Sequence, residues 1–169
     1  MSIVEEIKNT HIKVTIWAAI SSDGKVLFEV LEGRQIAESY LSLLKRNDQM
    51  MDLGNSFFQQ DGAPIHIANN VVKYLKSNFN HHWIGKESGE KEWPPRSPDL
   101  SPLDYFFWSY VQSQLLSYDL ETKADLRNAL KREISRVPPE MNVKACTSLI
   151  RRWERCLSVG GGQIHGKFD

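Results

Sequence analysis

The sequence is short of cysteine, has no net charge and lacks long apolar runs, and each shortage closes off a class of protein. Two cysteines among 169 residues cannot build the disulfide frame of a small secreted scaffold. Cys146 and Cys156 also fall in one predicted helix, where the rise between them is about 15 Å, beyond disulfide reach. They read as reduced, half-buried packing residues of an intracellular protein. No apolar run approaches the roughly 20 residues of a membrane helix, so no membrane association is expected. The opening Met-Ser-Ile-Val-Glu-Glu-Ile-Lys is acidic and too short for a secretion signal. A location in the nucleus or cytoplasm is therefore expected, and secretion is not. A balance of 21 basic against 21 acidic side chains excludes a globally basic nucleic-acid binder. Residues 1–108 hold 11 basic and 14 acidic groups and residues 109–169 hold 10 and 7, a skew that any solvated surface can carry.

What remains is an ordinary folding chain, with 41% apolar and 25% charged residues, no repeat and no low-complexity tract. Its length suits one domain with a sizeable core. Ile12–Ser21 is rich in β-branched and aromatic residues, Ser22-Asp23-Gly24 interrupts it, and Lys25–Leu31 resumes. An Asp-Gly between two apolar runs predicts a hairpin. Ile36, Tyr40, Leu43 and Leu44 predict an amphipathic helix over 34–46. Ser56–Gln60 reads as a short strand running into Asp61-Gly62-Ala63-Pro64. Ala68, Val71, Val72, Leu75 and Phe79 mark a helix, and His82–Ile84 another short strand. Gly85 to Pro102 reads as loop, broken by Gly89 and four prolines. A very aromatic helix follows to about Leu116, then one carrying Leu126, Leu130 and Ile134. The last helix carries Val143, Cys146, Leu149, Ile150, Trp153 and Leu157 and ends at Gly160-Gly161-Gly162. The order predicts an α/β domain with a mixed sheet flanked by helices and a helical C-terminal portion. Trp17, Ile20, Val26, Phe28, Phe58, Val71, Leu75, Phe107 and Trp153 are the expected core.

Two carboxylates stand out by position. Asp61 closes a predicted strand, and Asp104 lies in the first turn of the aromatic helix. An acid at a strand end and another at a helix start suit a hard cation such as Mg²⁺, which takes few protein oxygens and keeps its waters. Both positions also have a plain structural reading. Asp before Gly is a common turn pair, and Ser101-Pro102-Leu103-Asp104 reads as a helix start with Ser101 as cap. His81-His82 has no third ligand at zinc spacing.

The string Gln59-Gln60-Asp61-Gly62-Ala63-Pro64-Ile65-His66 resembles a motif of the mariner-type DNA transposases. Trp93-Pro94-Pro95-Arg96-Ser97-Pro98-Asp99-Leu100-Ser101-Pro102-Leu103-Asp104 resembles their second long motif, and it runs on through Tyr105-Phe106-Phe107-Trp108. Trp17-Ala18-Ala19-Ile20 and Asp23-Gly24 stand upstream in the family's order, and the resemblance extends from about residue 12 to the end. It implies an RNase H-like catalytic domain with a triad of acids that hold two divalent ions for strand cutting and joining. Asp61 would be the second acid and Asp104 the third, both catalytic and both metal ligands, with Mg²⁺ or Mn²⁺ bound weakly. The 42 residues between them exceed the family's usual spacing, with the surplus in the polar stretch 85–92. Asp99 would belong to loop structure. His66, Arg96, Arg151 and Arg152 would contact nucleic acid.

The sequence departs from the family at its start. The first acid belongs to a strand before that of Trp17, in a Ser/Thr-Asp-Glu context that this chain does not contain; Glu5 and Glu6 are the upstream carboxylates. The expectation is a single truncated catalytic domain over 1–169. In it the first strand is absent, residues 1–10 are a non-family N-terminus, the helix-turn-helix domains are missing, and 158–169 form a flexible tail. DNA is the expected partner, a homodimer a further one, and no small-molecule cofactor is implied. The function implied is that of a transposase remnant, related to DNA transposition and integration but inactive as given. The alternatives are an active metal-dependent nuclease, a domesticated, non-catalytic DNA-binding or protein-interaction module, and a decayed insertion copy.

Overall fold

The computed structural model describes residues 2–9, 12–48, 56–79, 82–89, 91–162 and 164. His81 lies outside the described residues, as do 163 and 165–169 of the expected tail. The chain divides into two compact units, one formed by Ile3–Val30 with Ser97–Asp169 and the other by Leu31–Arg96.

The first unit grows from β2 (Ile12–Ile20), whose alternation sets its core. Val14, Ile16, Ala18 and Ile20 are buried in one cluster with Leu103, Phe107, Val111, Leu126 and Leu130. Trp17 and Ala19, at the intervening positions, are buried as well, so β2 is covered on both faces. β3 (Val26–Leu31) lies at the edge of a sheet ordered β1-β2-β3. That edge position leaves Val26 and Phe28 half-buried, where the sequence predicts core.

β1 itself is a correction to the sequence reading. Ser2–Asn9 forms a strand hydrogen-bonded to β2, in place of a strandless N-terminus with no first strand. Ser-Ile-Val-Glu-Glu-Ile-Lys-Asn has no clean alternation, and pairing with a neighbour decides its conformation rather than local propensity.

The predicted hairpin is present, and Gly24 at its turn has φ 92°. A side chain there would also place a Cβ 2.9 Å from the Pro139 carbonyl oxygen, so glycine is required twice over. The turn docks on the start of the last helix, where the buried Asn142 side chain donates to the Gly24 carbonyl at 3.1 Å.

Beyond the proline-rich loop, a 3₁₀ turn (Pro98–Leu100) leads into a single wide π-type turn (Leu103–Phe107) that closes through the Trp108 N–H on the Leu103 carbonyl. Three helices complete the unit: α3 (Trp108–Leu115), α4 (Lys123–Ser135) and α5 (Pro139–Ser158). α4 starts at a reciprocal cap, with Thr122 Oγ1 accepting from the Asp125 N–H at 3.1 Å and Asp125 Oδ2 accepting from the Thr122 N–H at 2.8 Å.

α5 is rotated relative to the sequence reading. It buries the small face Asn142, Ala145 and Ser148, while Ile150 and Leu157 are 59% and 80% exposed and Trp153 is half-buried. Small residues permit close approach, and hydrogen bonds hold that face: the Tyr105 hydroxyl donates to the Ala145 carbonyl at 2.8 Å. Those contacts outweigh burial of the larger apolar stripe.

The second unit is a β-α-β arrangement with one further helix. α1 (Ala37–Asn47) packs on α2 (Asn69–Asn78), and α2 connects the parallel strands β4 (Phe58–Gln59) and β5 (Trp83–Ile84). Phe58 pairs with Trp83 and Gln59 with Ile84. Tyr40, Leu43, Leu44, Phe58, Val71, Leu75, Phe79 and Trp83 are buried, as the helix and strand periodicities require. Ile36, expected on the buried face of α1, sits at its N-cap and is 48% exposed. Gly85 after β5 gives room to the Trp83 ring, since a Cβ there would lie 2.5 Å from Nε1.

Candidate functional site

Asp61 stands just past the carboxyl end of β4. The strand pairing continues one residue further, with the Gln60 N–H on the Ile84 carbonyl at 3.1 Å. Loops at the carboxyl ends of parallel strands are where open α/β folds place their ligands. The Asp61 side chain then turns the chain: Oδ1 accepts the Ala63 N–H at 3.1 Å, an Asx-type turn. The same oxygen accepts from His66 Nδ1 at 2.5 Å. Burial alone would raise the Asp61 carboxyl, but the hydrogen bond and charge of His66 and the Ala63 N–H outweigh it, and its pKa is lowered from 3.8.

Around this carboxylate the motif residues hold one another. The Tyr40 hydroxyl donates to Gln60 Oε1 at 2.7 Å, and Gln60 Nε2 donates to the His66 carbonyl at 3.0 Å, both inside the unit. The His66 N–H closes the turn on the Ala63 carbonyl at 2.8 Å, and the Tyr40 and His66 rings lie 4.4 Å apart. His66 is 1% exposed. It therefore sits behind Asp61 and not on a surface that could meet nucleic acid, which corrects its expected role. Gly62 has no such constraint, because its nearest neighbour to an added Cβ is Lys86 Cδ at 3.6 Å.

Asp104, the second candidate acid, is half-buried in the π-type turn. Its N–H donates to the Ser101 carbonyl at 2.9 Å, and the Tyr105 N–H to the same carbonyl at 3.0 Å, so Ser101 starts the helix as expected. The neighbouring Tyr105 is fixed from α5. The Arg152 guanidinium lies 3.7 Å from the Tyr105 ring centroid, and its Nη1 donates to the Asp99 carbonyl at 3.1 Å. Burial raises the Tyr105 hydroxyl pKa. Asp99 thus serves loop structure, and Arg152 is engaged in holding that loop. Arg151 is exposed on the same helix. Arg96 is exposed and takes the left-handed conformation, φ 56°, which costs a non-glycine residue about 1 kcal/mol.

Asp61 and Asp104 belong to different compact units. Among the described residues no group of three or more His, Cys, Asp or Glu side chains gathers as a metal cage. Tyr40 and Gln60 were not marked by the sequence as part of a site. The signal was present in the second glutamine of the motif, but only the fold supplies the tyrosine that meets it.

No family model matches the chain. The Tc3 transposase of Caenorhabditis elegans is 28% identical over 98 residues, covering 54% of this chain and 26% of that protein. The human histone-lysine N-methyltransferase SETMAR is 21% identical over 158 residues, covering 89% of this chain and 22% of that protein. The chain thus spans about a quarter of the length of the curated relatives it matches. Among solved structures, the Mos1 transposase catalytic domain with Raltegravir and Mn superposes with a TM-score of 0.78 at 20% identity, covering 97% of this chain and 83% of that one. The Mos1 mariner paired-end complex with Mn gives a TM-score of 0.77 at 20% identity, covering 94% and 47%. The residues of this chain outside the first of these matches are fewer than those of β1, so part of that strand lies within the shared fold. In sequence the chain is similar to mariner-type DDE transposases, and it has the RNase H-like fold of their catalytic domain.

Proposed function

We propose that the chain is a transposase-derived module that binds a divalent cation weakly at Asp61, engages DNA in the nucleus, and does not cut it. The observation that carries this reading is the state of Asp61: an ionised carboxylate at a strand's carboxyl end, with both described hydrogen bonds on Oδ1. Oxygen donors of this kind suit Mg²⁺ or Mn²⁺, which bind through one or two carboxylates and keep several waters. When bound, such ions supply stabilisation of the attacking and leaving oxygens of a phosphodiester. One carboxylate gives a cation few fixed oxygens, which favours weak binding over the fixed two-ion arrangement of strand cutting. DNA is the corresponding partner, by analogy with the Mos1 paired-end complex with the left transposon end, and a homodimer is the assembly that goes with it.

A second reading, a non-catalytic interaction module, is favoured by α5. Its Ile150 and Leu157 are 59% and 80% exposed on one helix, an apolar surface suited to a partner.

The test incubates supercoiled plasmid with the purified chain in Mg²⁺ or Mn²⁺, beside an Asp61→Ala control, with a mobility-shift assay in parallel. The expected result is DNA retention without nicking above background. Nicking that the control abolishes contradicts the inactive reading and directs attention to Glu5 and Glu6, which now belong to β1.

A further inference from the structure

We propose that His66 is a positioning residue for Asp61: it occupies Oδ1 and so presents Oδ2 to a divalent cation. The inference rests on the reading of Asp61 as a metal ligand given above. Among the described residues, Asp61 receives two hydrogen bonds, from His66 Nδ1 at 2.5 Å and from the Ala63 N–H at 3.1 Å, and both fall on Oδ1. A carboxylate with one oxygen pinned has its rotation removed, and the other oxygen keeps its lone pairs for a hard ion. The arrangement matches the general pattern in which a metal ligand is oriented by a further hydrogen bond from a residue that does not touch the metal.

The environment of the ring separates this role from plain packing. His66 is 1% exposed, and its Nε2 has no hydrogen-bond partner among the described residues. A buried nitrogen without a partner is unfavourable, and an apolar side chain would fill the same space without that loss. The benefit kept by histidine is the Nδ1–H aimed at Asp61. The ring is also fixed from three other directions. The Tyr40 ring packs at 4.4 Å, the His66 carbonyl accepts from Gln60 Nε2 at 3.0 Å, and the His66 N–H donates to the Ala63 carbonyl at 2.8 Å. A donor so held can set the carboxylate rotamer before any ion arrives.

The test is Mn²⁺ binding to the whole chain by titration calorimetry, with folding checked by circular dichroism. Two variants of similar volume decide it. In His66→Asn the amide nitrogen falls near the place of Nδ1, and in His66→Gln it falls near that of Nε2. Asn is expected to keep Mn²⁺ affinity within a few fold, and Gln to weaken it by about 10–100-fold. Tyr40→Phe, which removes the hydroxyl from the same network but keeps the ring, is expected to lower thermal stability and to weaken the affinity less than His66→Gln does. Equal affinities for the Asn and Gln variants, with Asp61→Ala losing binding, overturn the positioning role and leave Asp61 as a ligand. Undiminished binding by Asp61→Ala, or no binding by the unmodified chain, overturns the metal reading and the positioning role together.

Discussion

The two candidate acids are held by different means, and the contrast shows how each motif does its work. Around Asp61 the grip is on the carboxylate itself: His66 and the Ala63 N–H both reach Oδ1, with Gln60 and Tyr40 buttressing them. Around Asp104 it is the backbone that is placed. Ser101 starts the turn, the π-type closure sets its width, and Arg152 pins the neighbouring Tyr105 and the Asp99 carbonyl. The first motif is therefore a hydrogen-bonded cluster of side chains, and the second is a shaped loop locked from outside. A cluster should fail when one buried polar member is removed, and a locked loop when its clamp is removed.

The largest expected effect follows from breaking the cluster at its centre. Gln60→Leu removes the hydrogen bonds that the Tyr40 hydroxyl and the His66 carbonyl make to the Gln60 amide inside the unit, at a cost of about 2–4 kcal/mol in a urea denaturation. A loss well under 1 kcal/mol would show that the two halves of the network do not depend on Gln60.

Releasing the clamp is the second test. Arg152→Leu removes the cation over the Tyr105 ring and the hydrogen bond to Asp99, together about 1–3 kcal/mol, and Arg152→Lys should recover little because the planar fork is lost. Full recovery by lysine would mean that charge, and not the stacked geometry, fixes the loop. A smaller change is expected at the helix start, where the fully buried Ser101 offers Oγ to the Asp104 N–H at 3.4 Å. Because that N–H also reaches the Ser101 carbonyl at 2.9 Å, Ser101→Ala should cost only about 0.5–1 kcal/mol.

The smallest effect lies outside both motifs and serves as their control. Asp23 in the hairpin turn is paired with Lys25 at 2.6 Å and bonded by Ser21, which hold its pKa at about 2. A depressed carboxyl pKa contributes stability above its unfolded value of 3.8 that disappears as the pH falls through about 2. The pair is exposed and screened, so Asp23→Asn should flatten the acid limb of the stability profile by only a few tenths of a kcal/mol. A larger change would mean that the turn carries part of the unit's stability electrostatically, and not through Gly24 and Asn142.

How far the sequence reaches can be judged from particular elements. The β2–β3 hairpin was legible because Asp23-Gly24 is a local signal, and the helices of the second unit because Tyr40, Leu43, Val71 and Leu75 keep a helical period. β1 was hidden because strand pairing, not its own pattern, makes it a strand. The buried face of α5 was misread because the larger apolar residues outweigh Asn142, Ala145 and Ser148 in any periodicity, while close approach to the Gly24 turn and Tyr105 selects the small ones. At the site, Asp61 and Asp104 were identified from their motifs. That His66 faces Asp61 from inside could not be seen, since Tyr40, which packs on its ring, comes from α1, distant in sequence.

The most direct test of the account is anomalous diffraction at the manganese edge from crystals soaked in Mn²⁺. The account predicts a peak about 2.0–2.6 Å from Asp61 Oδ2, absent in crystals of Asp61→Ala, with Oδ1 of the unmodified chain still bonded to His66. A peak on Oδ1, with the His66 ring displaced from the carboxylate, or no peak at Asp61 in well-occupied crystals, would contradict it.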